Sequence, residues 1–293
     1  MKAFLLLSTF LIIGCRPDAK IQIEPEGFLA ELIPKNQLAH GGVLSPNGKQ
    51  FYITLSDTLF QNFEVMVSKK KNDQWQPLES AFFNSEFDEH GVSFSPNENQ
   101  LYFSSTRPTG IDSISQTWHI WRSTKSTDGW GEPEFIHIPT MSNQLASHPS
   151  LTQNGRMYFH SGGVDYSDLA LFYSDQVDGQ FSAPQKVMFE DSVLRYSITP
   201  YVAFDESYLL FGLIQNNEEA LYYSKNVEGS WQTPIRLPEV INSNNKANPF
   251  IDTDGQYLYY ASGEYNERKV AANWTIKRVG WKALSDSLKF IQN

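Results

Sequence analysis

Ser45-Pro46-Asn47-Gly48 followed by Phe51-Tyr52-Ile53, and Ser95-Pro96-Asn97 followed by Leu101-Tyr102-Phe103, are two copies of one pattern. Three further copies run Thr152-Gln153-Asn154-Gly155 before Met157-Tyr158-Phe159, Ala203-Phe204-Asp205 before Leu209-Leu210-Phe211, and Asp252-Thr253-Asp254-Gly255 before Leu258-Tyr259-Tyr260. Each is a turn between two β-rich runs. Recurrence at about fifty residues marks a radially repeated sheet protein, not a compact enzyme fold.

A second pair of landmarks lies within each repeat. A run ends in Ser, and seven residues later comes a large aromatic: Ser68 and Trp75, Ser123 and Trp130, Ser174 and Phe181, Ser224 and Trp231. Between them sit Asn72-Asp73, Asp128-Gly129, Asp178-Gly179 and Glu228-Gly229, the chemistry of a tight hairpin. Pro77, Pro133, Pro184 and Pro234 follow, as suits an outer edge strand that need not donate its N–H. Four strands per unit, a to d, make a propeller blade, and the count gives five, roughly 40–82, 89–138, 147–189, 198–237 and 247–293. The fold class is therefore all-β, a β-propeller of about five four-stranded blades. The fifth blade lacks a clear strand d. The segment Phe28-Leu29-Ala30-Glu31-Leu32-Ile33 is expected to supply it and close the ring, with Trp281 to Leu284 as the competing segment.

Residues 1–14 read as a signal peptide, with Lys2 ahead of an apolar stretch too short to span a bilayer. Ile12-Ile13-Gly14-Cys15 resembles the bacterial lipobox, which implies lipidation at Cys15 and a tether over 15–24 ahead of a propeller over 25–293. Cys15 is the only cysteine, so no disulfide can form within a monomer. With 23 Lys and Arg against 33 Asp and Glu, the chain repels nucleic acid. The one basic run, Lys69-Lys70-Lys71, adjoins a turn and is a solvated surface.

The Ser-Pro-Asn-Gly turn, Leu101-Tyr102-Phe103-Ser104-Ser105-Thr106-Arg107-Pro108 and Trp130-Gly131-Glu132-Pro133 resemble the WD40-like repeats of the PD40 family, found in TolB-type propellers and in envelope lipoproteins of Bacteroidota. The resemblance covers nearly all of the chain beyond the signal. It implies a non-catalytic lipoprotein of the cell envelope, expected in the outer membrane because Arg16, not Asp, follows the cysteine, and facing the periplasm or the surface. Its propeller would bind an envelope protein or glycan as a monomer, without cofactor.

Antiparallel strands put the a–b and c–d turns on one face and the longer b–c and d–a connections on the other. Function favours long loops on a rigid frame. On that face the candidate binding residues are His40, Glu89, His90, Arg107, His148 and Asn248. His40 and His90 occupy equivalent places. His148 sits one place later, level with Gly41, Gly91, Thr199 and Asn248, an offset expected to turn its ring the other way. A ring of imidazoles at His40, His90 and His148 would suit a divalent metal. Oligogalacturonate lyases resemble this repeat class and hold a metal on propeller-centre histidines, and that resemblance implies the alternative function, a metal-dependent carbohydrate-active enzyme, lyase or glycosidase. Asp88, Glu89, Asp112, Asp165, Asp168 and Glu264 share the face, but no spacing pairs two of them for glycoside hydrolysis. Arg107 matches an arginine recurrent in the PD40 family, suited to clamp a carboxylate or to hold a loop carbonyl. No nucleophile elbow, phosphate loop or His-Glu-x-x-His motif is present, and no catalytic residue is assigned.

Overall fold

The repeated turn is repeated geometry. Ser45 Oγ bonds Asn47 Oδ1 at 2.9 Å and accepts the Gln50 N–H at 2.9 Å, while Gly48, at φ 68°, donates its N–H to the Ser45 carbonyl. A positive φ of this kind is what glycine supplies. Ser95 and Asn97 rebuild the same knot at 2.7 Å, and Asp252 Oδ1 replaces the serine hydroxyl by accepting from Gln256 N and Tyr257 N at 2.6 and 3.0 Å. A short polar side chain that folds back on its own turn fixes the hairpin register.

The computed structural model describes residues 23–190, 192–265 and 271–289, and its strands form a five-bladed β-propeller. Strands a, b and c are Gln37–Leu44, Gln50–Asp57 and Glu64–Lys71 in blade 1, and Glu89–Phe94, Gln100–Ser105 and His119–Ser126 in blade 2. In blade 3 they are Gln144–Leu151, Met157–Gly163 and Ala170–Ser174, and in blade 4 Ser197–Val202, Tyr208–Gln215 and Glu218–Val227. Blade 5 has Asn245–Ile251, Tyr257–Tyr265 and Ala271–Gly280.

Strand d is broken into two short pieces in blades 1 to 4, as at Gln74–Trp75 and Glu79–Ser80, which leaves little continuous edge exposed. The Ser-to-aromatic spacing acquires a cause here. The hydroxyls of Ser68, Ser123, Ser174 and Ser224, all buried, donate to the carbonyls of Gln76, Gly131, Ser182 and Gln232 at 2.5 to 2.6 Å. Each hydroxyl thus pins the residue just beyond the aromatic to strand c. The c–d turns take positive φ at Asn72 and Asp73, Asp178 and Gly179, and Glu228 and Gly229, as the twist of the flanking strands demands.

The core is five interblade layers. Between blades 1 and 2, for example, Val65 and Val67 meet Leu101 and Phe103; between blades 4 and 5, Leu221 and Tyr223 meet Leu258 and Tyr260. Alternation along strands b and c turns one set of side chains to each neighbouring blade. Burial of each large one stabilises by about 1.5–3 kcal/mol.

The N-terminal segment closes the ring, but with different residues from those expected. Glu26–Gly27 pairs antiparallel with the last strand at Arg278 and Lys277, and Phe28 N donates to the Ile276 carbonyl at 2.9 Å. Ala30–Leu32 is a 3₁₀ turn instead of strand, because Leu29 adopts φ 53° and ends the extended run. Phe28 and Leu29 then drop into the layer between blades 5 and 1. The competing segment, Trp281–Lys289, is a helix whose Trp281, Leu284 and Leu288 seal the layer between blades 4 and 5. Cys15 and the signal lie outside the described residues.

Candidate functional site

All five innermost strands carry a bulge at the same level, between Ala39 and Gly41, His90 and Ser93, Ser147 and Ser150, Ile198 and Tyr201, and Ala247 and Phe250. Gly91, His148, Thr199 and Asn248 have φ of 63°, 55°, 49° and 51° there. The left-handed conformation is costly for a β-branched threonine. Its recurrence around the axis shows that the converging strands impose it.

The bulges surround an axial cavity of about 60 Å³, walled also by Tyr52, Tyr201 and Phe250, with room for a few waters and none for a sugar ring. Its end toward the long-loop face is filled. The His90 ring stacks on Trp118 at 3.8 Å, and His40 lies against Phe60, Phe63 and Trp274 at 4.9, 5.0 and 5.8 Å.

The one-residue offset does not send His148 away. The bulge absorbs it, and the His148 ring lies 4.3 Å from His90 and 5.1 Å from a fourth imidazole, His160. Burial holds these rings neutral, pushing His40 down to about 4 and His160 to about 3. His90 and His148 are held well below the usual range by burial and then by their imidazole neighbours. Each ring has its own bond. His40 Nε2 meets Ser56 Oγ at 2.6 Å, His90 Nε2 meets Ser147 Oγ at 2.7 Å, His148 Nδ1 meets the same hydroxyl at 3.1 Å, and His160 Nδ1 accepts from Thr199 N at 3.3 Å. Among the described residues no three His, Cys, Asp or Glu converge on a metal position.

Glu89 and Arg107 do meet, with Nη2 to Oε1 at 2.7 Å. Both are engaged inside the wall. Glu89 also accepts from Ser85 Oγ and Ser105 Oγ at 2.6 and 2.9 Å, and Arg107 donates to the Phe83 carbonyl at 2.6 Å between the rings of Phe103 and Trp121. The pair clasps the end of blade 1 to blade 2. Asn248 donates its Nδ2 to the His40 carbonyl, across the seam between blades 5 and 1, and its buried Oδ1 has no partner. The other face carboxylates are separate: Asp88 accepts the Phe63 N–H at 2.8 Å, Asp165 binds Ser167, Asp168 binds Arg195, and Glu264 binds Asn244.

One residue passed unnoticed in the sequence. Five places before each strand-c serine stand Phe63, Trp118, Leu169 and Glu219, and Trp274 is their match in blade 5 by register. Glu219 is thus the single acid in an otherwise apolar collar. Its buried Oε1 has no partner, and burial pushes its carboxyl up to about 8.

The connections on this face also expose apolar side chains. Of the eleven exposed large hydrophobic side chains among the described residues, Leu59, Phe82, Phe87, Ile111, Val164, Tyr166, Met188, Tyr196 and Val240 belong to b–c or d–a connections; Val177 and Val227 belong to the opposite face. Tyr166 is held by the indole N–H of Trp118, which donates to its hydroxyl at 2.9 Å.

No protein-family model and no curated protein matches the chain in sequence. Solved structures do match in fold. The chain is similar to the protein assigned as TolB from Agrobacterium tumefaciens, with TM-score 0.51 at 14% identity over 83% of this chain and 78% of that one. A protein of unknown function from Dyadobacter fermentans gives TM-score 0.52 at 12% identity, over 90% and 83%. The GH43 endo-arabinanase from Bacillus licheniformis also gives 0.52 at 12% identity, over 84% and 95%. The propeller is TolB-like in architecture. A frame shared by TolB and a glycosidase leaves function to be argued from the site.

Proposed function

We propose that the chain is a non-catalytic envelope lipoprotein, anchored through Cys15, whose propeller holds a protein partner on its long-loop face. The supporting observation is the segregation of exposed apolar side chains: among the described residues nine of eleven lie on that face, anchored on loops that the blades hold in place. Exposed apolar and aromatic side chains concentrated on one face suit polypeptide recognition. The enzyme alternative draws less support, because the four imidazoles are engaged by Ser56, Ser147 and Thr199 without converging on one point, and the face carboxylates have other partners.

The test replaces Leu59, Val164 and Tyr196 by Ser in one variant, and Val177 and Val227 by Ser in a control. Crosslinking in intact cells should recover partner proteins with wild type and control and lose them with the face variant, while urea midpoints stay close because exposed side chains contribute little to stability. Retention of every partner by the face variant, with loss in the control, would place the working surface on the other side. Recovery of glycan alone would replace the protein partner by a saccharide.

A further inference from the structure

We propose that the groove between blades 4 and 5 binds a guanidinium group, presented by an arginine of the protein partner that the long-loop face takes up. This rests on the reading above and names the chemistry the partner brings.

The groove has a volume of about 860 Å³ and is lined by Glu218, Glu219, Glu239 and Glu264. Its one basic lining residue, Arg236, is occupied, donating to Glu239 Oε2 at 2.7 Å and to the Asn242 carbonyl at 3.3 Å. Lys246, nearby, is buried with its ammonium on the carbonyls of Ser243 and Asn245. Glu218, Glu219 and Glu264 form no ion pair among the described residues, although Glu264 acts electrostatically on the Lys246 ammonium.

Glu219 is what separates this groove from an ordinary acidic surface. The fold asks for an apolar side chain at its position and has one in the other four blades. The backbone makes room for the carboxyl: a Cβ on Gly212 would lie 2.7 Å from Oε1, so a larger residue there would displace it. A buried, unpartnered acceptor that breaks the local rule marks a functional place. What it lacks is a donor. A guanidinium offers five N–H groups in a planar fork matched to carboxylates and carboxamide oxygens, and it sheds water more readily than an ammonium.

Isothermal titration of the purified full chain with Nα-acetylarginine amide, and with the uncharged isostere Nα-acetylcitrulline amide, tests this directly. Wild type should bind the arginine compound about tenfold or more tightly than the citrulline one, and Glu219→Gln, which keeps shape and fold, should erase that preference. Asp178→Asn, on the opposite face, should leave it intact. Equal binding of the two compounds, no binding of either, or an unchanged preference in Glu219→Gln overturns the inference. The crosslinking comparison is read independently of all three: partner loss in the face variant with no arginine preference leaves the docking face standing and removes only the guanidinium pocket.

Discussion

Replacing Glu219 by Gln should stabilise the protein by an amount that grows with pH. The carboxyl shifts from an ordinary value of 4.5 to about 8 on folding because burial disfavours its charge. Between these values the folded state holds a proton that the unfolded state has released. The unfolded state therefore binds fewer protons, and stability falls as pH rises through that window. It is fully present below about pH 4.5 and levels off at its minimum above about pH 8. From about pH 5 to about pH 7.5 the wild type loses about 3 kcal/mol by this route, at a slope of about 1.4 kcal/mol per unit. Glutamine has no such dependence. Urea unfolding of both proteins across this range, followed by tryptophan fluorescence, gives the difference directly, and every other titrating group cancels in it. Parallel profiles for the two proteins would mean that Glu219 reaches solvent in the folded state, and the argument built on its burial would fail.

The imidazole cluster acts in the opposite direction. His40 and His160, 8% and 7% exposed and held down to about 4 and about 3, should together withdraw about 4 kcal/mol as pH falls from about 7 to about 5, because the unfolded chain takes up protons below 6.5 that the folded one refuses. The Glu219→Gln background shows this loss without its counterweight, and a flat profile there would contradict neutral buried rings. Arg107→Ala strands the Glu89 carboxylate, whose side chain is 1% exposed, and should cost about 3–5 kcal/mol in urea unfolding. A cost below about 1 kcal/mol would show that water replaces the guanidinium.

The frame was legible because its determinants are local. Ser45 and Asn47 fold onto their own turn, and Ser68 reaches a carbonyl eight residues on, so five recurrences in sequence correspond to five blades in space. Residues whose partners come from another strand were harder to read. His160 lies on strand b, and nothing near it in sequence says that a bulge at His148 brings the two rings within 5.1 Å. The left-handed residues at the bulges are glycine only at Gly91 among the four, so His148 and Thr199 carried no conformational signal. Leu29 ends the closing strand in the same unannounced way. Glu219 was within reach, since counting back five from each strand-c serine exposes it. Strand direction alone put the long connections on one face, while the engagement of Glu89 with Arg107 needed the blades in contact.

The seam has a consequence in time. Glu26 and Arg278, joined at 2.7 Å, stand 252 residues apart, so the strand Glu26–Gly27 waits for the propeller's last strand. In a chain with no blade yet formed, closing that span costs about 3 kcal/mol more chain entropy than closing a ten-residue hairpin. Until blade 5 is complete, the interface between it and blade 1 has an open edge on each side, the kind of surface on which folding intermediates aggregate. A chain cut short before Arg278 retains its early blades but has nothing for Glu26 to pair with. Presence of the last strand thus becomes a condition of the closed ring, enforced by a strand of two residues.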